Sequence, residues 1–332
     1  MTTTALPDPP LPSPEPLEMR LDQAVGRCRE ALRNRFSGFL DRLPTRRRTP
    51  QDWFDLLHGY PTDRGKVAEM RALKTALGEP EGFSLSGQVE QFALVQSVLA
   101  ATPRVPALPV GPPIKHFFAT MFAHMANPNR KWQPHDEPWR FLEMAQTATL
   151  RRYPAGQHDF EITGLPRTWL LRVNPLDVPR LLYFVTTELG GFHPLVRIHL
   201  NYWRPNTLMV LASEACRSYY LMAKSIENRP EIKGMMANSW FYSRAVGETS
   251  PHLAWMREFF VSHGAFVTEM ELARPDTGYM TGSARRQRQF REGNFRPRVT
   301  LVLWRRSSLM DWAAEYGRTL VECPSTGGQD VG

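Results

Sequence analysis

From residue 20 to about residue 150 the apolar positions recur at three- and four-residue steps. Leu21, Val25, Cys28, Leu32, Phe36, Phe39 and Leu43 trace one such stripe, the mark of an amphipathic helix. Thr49-Pro50 opens a second helix through QDWFDLLHGY, because proline suits the first helical position. Asp63 caps a third helix, which Gly78 and Pro80 close, and Ser86 caps a fourth. The proline-rich stretch 102–113 breaks the pattern before two further helices, 114–126 and 137–150.

The period changes after about residue 152. HDFEI (158–162) and TWLLRV (168–173) read as strands. Asn174 caps a helix through 176–189 that Gly190-Gly191 ends. In 193–203, Val196, Ile198, Leu200 and Tyr202 fall on one face and Arg197, His199 and Asn201 on the other, as in a half-buried strand. A helix over 207–227 carries Leu208, Leu211, Ala215, Tyr219, Met222 and Ile226 on one stripe. Strand 231–243, helix 251–263, strand 265–272, helix 283–292, strand 296–306 and a last helix over 308–320 follow. Alternating strands and helices predict an α/β domain, a mixed sheet with flanking helices, preceded by an all-helical N-terminal region. The expected organisation is a disordered proline-rich tail (1–19), the helical region (20–152), the α/β domain (153–322) and a flexible tail (323–332).

Composition narrows the compartment and the partners. The 332 residues include 41 Lys and Arg against 33 Asp and Glu, so the net charge is +8. Much of the surplus sits in 281–306, which holds eight arginines and only Glu292 as an acid. A local basic cluster points to an anionic partner. The three cysteines, Cys28, Cys216 and Cys323, form no CxxC spacing, so neither a disulfide framework nor a zinc site is expected. No apolar run reaches the ~18 residues of a membrane span. The start lacks a signal-peptide pattern, which makes a cytoplasmic protein the expectation. The scattered histidines give no metal site. His135-x-Glu137 has a ligand-like spacing but sits in a helical region, and His116 and His124 belong to an aromatic helix stripe.

One stretch carries candidate chemistry. NSWFYSRAVGETSPHLAW (238–255) runs from a strand through a loop into a capped helix. Unpaired N–H groups at a helix start attract anions. Gly247 lets backbone approach a phosphate, and Arg244 can bind it through two hydrogen bonds. Glu248 opposes an anion at that spot.

This loop is similar to the (Gln/Arg)-x-x-Gly-x-(Gly/Ala) signature of the GNAT family of acyl-CoA-dependent N-acyltransferases. Thr249 stands at the position of the last small residue. The resemblance covers about residues 160–306 in the order of elements. It implies direct transfer of an acyl group from acyl-CoA to the amine of an acceptor, with the thioester between two parallel strands that splay apart. On that implication Arg244, Gly247 and Thr249 hold the CoA pyrophosphate, and Arg285 and Arg286 clamp its 3′-phosphate. The base candidates are His199, Glu214 and Glu188. Phe290 stands where the family often keeps an acidic tyrosine, and Tyr279 is the nearest substitute. No metal is implied. The segment 285–298 also supports a different reading, a non-catalytic protein that binds nucleic acid or another polyanion, with Phe290, Phe295 and Trp304 as stacking groups.

Overall fold

A computed structural model describes residues 16–35, 85–127, 139–200, 212–273 and 284–322. The helices expected over 50–60 and 63–77, the tail 323–332 with Cys323, and Tyr279 lie outside the described residues. The chain divides into two compact units that meet in sequence at Pro154/Ala155.

The first unit is helical where it is described: α1 (Leu17–Arg35), α2 (Leu85–Ala101), α3 (Pro112–Met125) and α4 (Trp139–Ala148). The buried side of α1 is Leu21, Ala24, Cys28 and Ala31, with Val25 and Leu32 half-buried. The stripe is thus rotated from the one the larger residues predict, because three small side chains allow close approach to α3. Arg20 crosses that contact and donates to the Thr120 hydroxyl at 2.8 Å. Proline starts α3, and its Phe118 meets Phe122 and, at the end of the same unit, Tyr153 edge to face.

The second unit is built on a mixed sheet. Its strands are β1 (Tyr153–Ala155), β2 (His158–Gly164), β3 (Pro194–Leu200), β4 (Gly234–Ser239), β5 (Phe266–Leu272) and β6 (Arg298–Arg305), in the order β1-β2-β3-β4-β6-β5. Pairs β2–β3, β4–β6 and β5–β6 are antiparallel, and β3–β4 is parallel. A parallel pair needs a crossover, which is α6 (Ala212–Ile226). It buries Ala215, Tyr219, Met222 and Ile226, as its periodicity predicts.

Two layers cover the sheet. On one face α6, α8 (Trp255–Ser262) and α10 (Arg306–Glu322) enclose an aromatic cluster of Tyr219, Phe259, Phe260, Trp304 and Trp312. The other face is covered by the segment 165–189, which contains α5 (Val178–Tyr183). There Trp169, Leu181, Val185 and Leu189 pack on Leu195, Met236, Met270, Leu301 and Leu303.

Three elements differ from the sequence reading. TWLLRV is no strand: Arg167–Leu171 is a 3-10 turn that starts after Pro166. It buries Trp169 and leaves Leu171 exposed, a turn-like pattern rather than an alternating one. The strand expected over 231–243 stops at Ser239, whose hydroxyl caps the turn Trp240–Tyr242. The loop expected over 244–249 is a short helix, α7 (Arg244–Thr249), because Val246 and Thr249 are drawn into the core. The cap at Asn174 is present, with its side chain accepting from Leu176 N–H.

Two consequences are measurable. Gly234 has φ +154°, and a Cβ there would lie 2.1 Å from the Trp304 carbonyl oxygen. Gly234→Ala is therefore expected to cost about 3 kcal/mol or more, read from urea unfolding. His158 is fully buried against Tyr219, and burial lowers its pKa to about 3. Its neutral form is the folded one, so stability is full above pH 6.5 and falls as pH drops toward 3. The slope from this group is about 1.4 kcal/mol per pH unit. His158→Leu should flatten that part of the stability profile between pH 6.5 and 4.

Candidate functional site

The site follows from where the sheet changes direction. β3 and β4 pair at Val196–Met235 and Arg197–Met236. Beyond that point β3 continues on β2 as far as Leu200, and β4 continues on β6 as far as Ser239. Each strand stays on its own antiparallel partner while the β3–β4 ladder ends at Arg197–Met236, so the two edges part in their pairing before their C-terminal ends. Such a parting in a parallel pair is where open α/β sheets receive ligands.

Polar side chains collect beside it on the face opposite α6. Alternation puts Asp159 and Glu161 of β2, and Arg197 and His199 of β3, on one side. In the register Glu161 lies opposite Arg197, and Asp159 opposite His199. Glu161 Oε1 accepts from Arg197 Nη1 at 3.3 Å and lies 3.1 Å from His199 Nε2. Arg197 also reaches across the parting to Asn238 Oδ1 at 3.5 Å, and its guanidinium stacks 5.2 Å from the Trp169 ring. The His199 side chain is 15% exposed, so water and a small substrate can reach it. A carboxylate oxygen only accepts. With a proton on His199 Nε2 this contact is a hydrogen bond to the carboxylate. The arrangement can hold a base in one tautomer and stabilise the charge it gains.

The sequence-derived residues fall in several places. His199 is in this cluster. Glu214 is in the first turn of α6, the helix whose Tyr219 packs on His158, and so belongs to the other face of the sheet. Glu188 pairs with Arg305, next to the N-terminal end of β4. Arg244 follows the C-terminal end of β4 and is exposed. Gly247 faces Ala254, and a Cβ on it would meet that of Ala254 at 3.4 Å, an ordinary packing contact. Thr249 is buried. Arg285 and Arg286 are on α9 (Ala284–Arg291). Arg285 is exposed, while Arg286 lies 5.2 Å from the Trp240 ring, where burial lowers its pKa.

Sequence reasoning missed Glu161, because nothing in the short run HDFEI says which residue its acids will meet. The alternation of HDFEI against VRIHL was the available signal. Antiparallel pairing of those two runs brings the acid to the histidine.

Other chemistries find little support among the described residues. Burial pushes the Cys28 thiol up to about 12 and Cys216 up to about 11, which leaves neither a thiolate near neutral pH. No group of three or more His, Cys, Asp or Glu could hold a metal ion, and no helix is long and apolar enough to cross a membrane. A groove of ≈ 600 Å³, lined by Tyr220, Lys224, Met310, Gly317 and Arg318 among others, belongs to α6 and α10 on the opposite face.

No protein-family model matches the chain, and no curated protein sequence does. Two solved structures resemble it remotely. An acyltransferase in complex with CoA and 10C-teicoplanin superposes at TM-score 0.42 with 10% identity, over 84% of this chain and 99% of that one. An acyltransferase in complex with decanoyl-CoA gives TM-score 0.36 and 11% identity, over 85% and 99%. At that distance the chemistry of this chain has to be argued from its own residues.

Glu161 supplies the acceptor for two half-buried groups. Glu161→Ala should therefore cost about 1–3 kcal/mol by leaving Arg197 and His199 without it. Glu161→Gln, which keeps an acceptor oxygen, should cost less. Chemical denaturation of the two variants checks the order.

Proposed function

We propose that this protein is an acyltransferase of GNAT-like type that moves an acyl group from acyl-CoA to an amine. The observation that carries the reading is the single parallel pair, β3–β4, which parts beyond Arg197 and Met236 next to the Glu161–His199 pair. A parting between parallel strands is the geometry the family resemblance implies for the thioester. The crossover through α6 and the antiparallel strands β6 and β5 beyond it support the same reading.

In this mechanism the thioester lies between the parted strands, where a backbone N–H turned to the cleft polarises the carbonyl. The acceptor amine approaches from the face that carries His199. His199 takes the proton that the amine loses on attack, and Glu161 stabilises the imidazolium. The carbon–nitrogen bond forms, the carbon–sulfur bond breaks, and CoA leaves as a thiol once a proton reaches its sulfur. Tyr279, the acid candidate, lies outside the described residues.

The polyanion reading gains no comparable support. Arg286 is stacked on Trp240, Arg296 lies 4.6 Å from the Phe290 ring, and Arg298 Nε donates to the Met270 carbonyl. These contacts use arginines that a nucleic-acid face would present.

Two measurements test the proposal. An acyl-CoA at 100 times its Kd should stabilise the fold by about 2.7 kcal/mol in a thermal-shift series from acetyl-CoA to long-chain acyl-CoAs. A series with no shift at any chain length sinks the reading. His199→Gln should lower kcat by about 10²–10⁴-fold while leaving acyl-CoA affinity intact. A variant that retains full turnover removes His199 from the mechanism.

A further inference from the structure

The layer formed by residues 165–189 hides one set of side chains and leaves another in water. Trp169, Leu181, Val185 and Leu189 are buried against the sheet. Leu171 and Leu176 are 87% and 85% exposed, and Leu182 and Tyr183 follow as exposed residues of α5. Leu171 ends the turn Arg167–Leu171, and Leu176 sits in the capped turn Pro175–Asp177. The stretch between the two leucines is tied to β5. Arg172 pairs with Glu271, and the Asn174 N–H donates to the Glu269 carbonyl at 3.4 Å. Leu272, which follows Glu271, is exposed as well.

We propose that this layer seats on an anionic lipid surface, with Leu171 and Leu176 entering the acyl boundary and Arg167, Arg172 and Arg180 meeting the head groups. A leucine held almost wholly in water gains by leaving it. A protein partner needs a complementary surface of about 800 Å² on each side. A bilayer accepts single protruding side chains. Leucine and tyrosine among arginines is the composition of segments that lie in the membrane interface. The charges agree with that partner. Arg167, Arg172 and Arg180 are exposed. Against them stand Asp177, 3.7 Å from Arg180, and Glu271, which pairs with Arg172. The patch keeps a positive surplus, on a chain whose net charge is +8.

A second copy of the chain is the competing occupant. A two-fold contact sets the same patch against itself, arginine facing arginine. Anionic head groups carry the opposite sign. The layer is also stiff. Pro166, Pro175 and Pro179 stand at the starts of its turns and of α5, so the leucines are presented with little backbone freedom left to lose. Trp169 lies two residues before Leu171 and stacks on Arg197, which joins the lipid-facing turn to the polar cluster. The inference does not rest on the acyl-CoA reading.

Cosedimentation of the full chain with vesicles reads the binding. Phosphatidylcholine vesicles that contain phosphatidylserine should carry the protein down, and pure phosphatidylcholine should carry less of it. Leu171→Ser and Leu176→Ser should each weaken binding about tenfold or more. Arg167→Gln and Arg180→Gln should each cost about fivefold. These side chains are exposed, so the Tm should stay at the wild-type value. Val261→Ser is the control, an exposed residue of α8 on the opposite face, and should bind as the wild type does.

Vesicle binding that survives the loss of both leucines, or that Val261→Ser weakens to the same extent, would overturn the proposal. So would equal binding to the two kinds of vesicle. A chain that ignores vesicles but doubles in mass with concentration, and stops doing so when Leu171 and Leu176 are replaced, assigns the patch to a second copy instead. Thermal shifts by acyl-CoA without vesicle binding overturn this inference and leave the proposed activity standing. Vesicle binding without any acyl-CoA shift does the reverse.

Discussion

The geometry of the candidate site depends on one topological constraint, a single parallel contact, among the described residues, within a sheet whose other assigned strand pairs are antiparallel. β3 and β4 run the same way, so a helix has to carry the chain between them, and α6 does so. Each strand is also held on its outer side by an antiparallel ladder, β2 on one edge and β6 on the other. Strand twist acts on both halves of the sheet. With two register positions joining them, the halves share only a short ladder, and its length is set by strand pairing rather than by a loop.

That constraint also explains the distribution of polar groups. On the α6 face the sheet is covered by aromatic rings, and His158 is tolerated there only as a neutral ring. The opposite face has apolar cover over β4, β6 and β5, where Trp169, Leu181 and Val185 reach. Nearer β2, Glu161 meets both Arg197 and His199, and Trp169 closes the margin between the apolar and polar parts by stacking on Arg197. The polar cluster is therefore half-buried and charge-paired, a setting in which a histidine keeps a defined tautomer.

The strands were legible wherever hydrophobic alternation had to match a two-sided environment. VRIHL and HDFEI alternate because both faces of β3 and β2 meet distinct surroundings, and the α6 stripe was legible for the same reason. TWLLRV was misread because β-branched and aromatic residues favour strands in general, while Pro166 and the need to seat Trp169 produce a turn. The segment 244–249 was read as a loop because Gly247 suggested backbone freedom. The segment is helical because Val246 and Thr249 are drawn into the core, which only the packed neighbours reveal.

The sequence by itself determined the α/β class, the helical region before it, the half-buried strand that carries His199 and the concentration of arginine near the end of the chain. These are properties of local periodicity and composition. Tertiary structure alone decided that Glu161 meets His199, that β3 and β4 are parallel, and that Arg298 lies beside Glu269. The partners in each case are tens of residues apart, and strand pairing, which brings them together, leaves no mark on either segment taken alone.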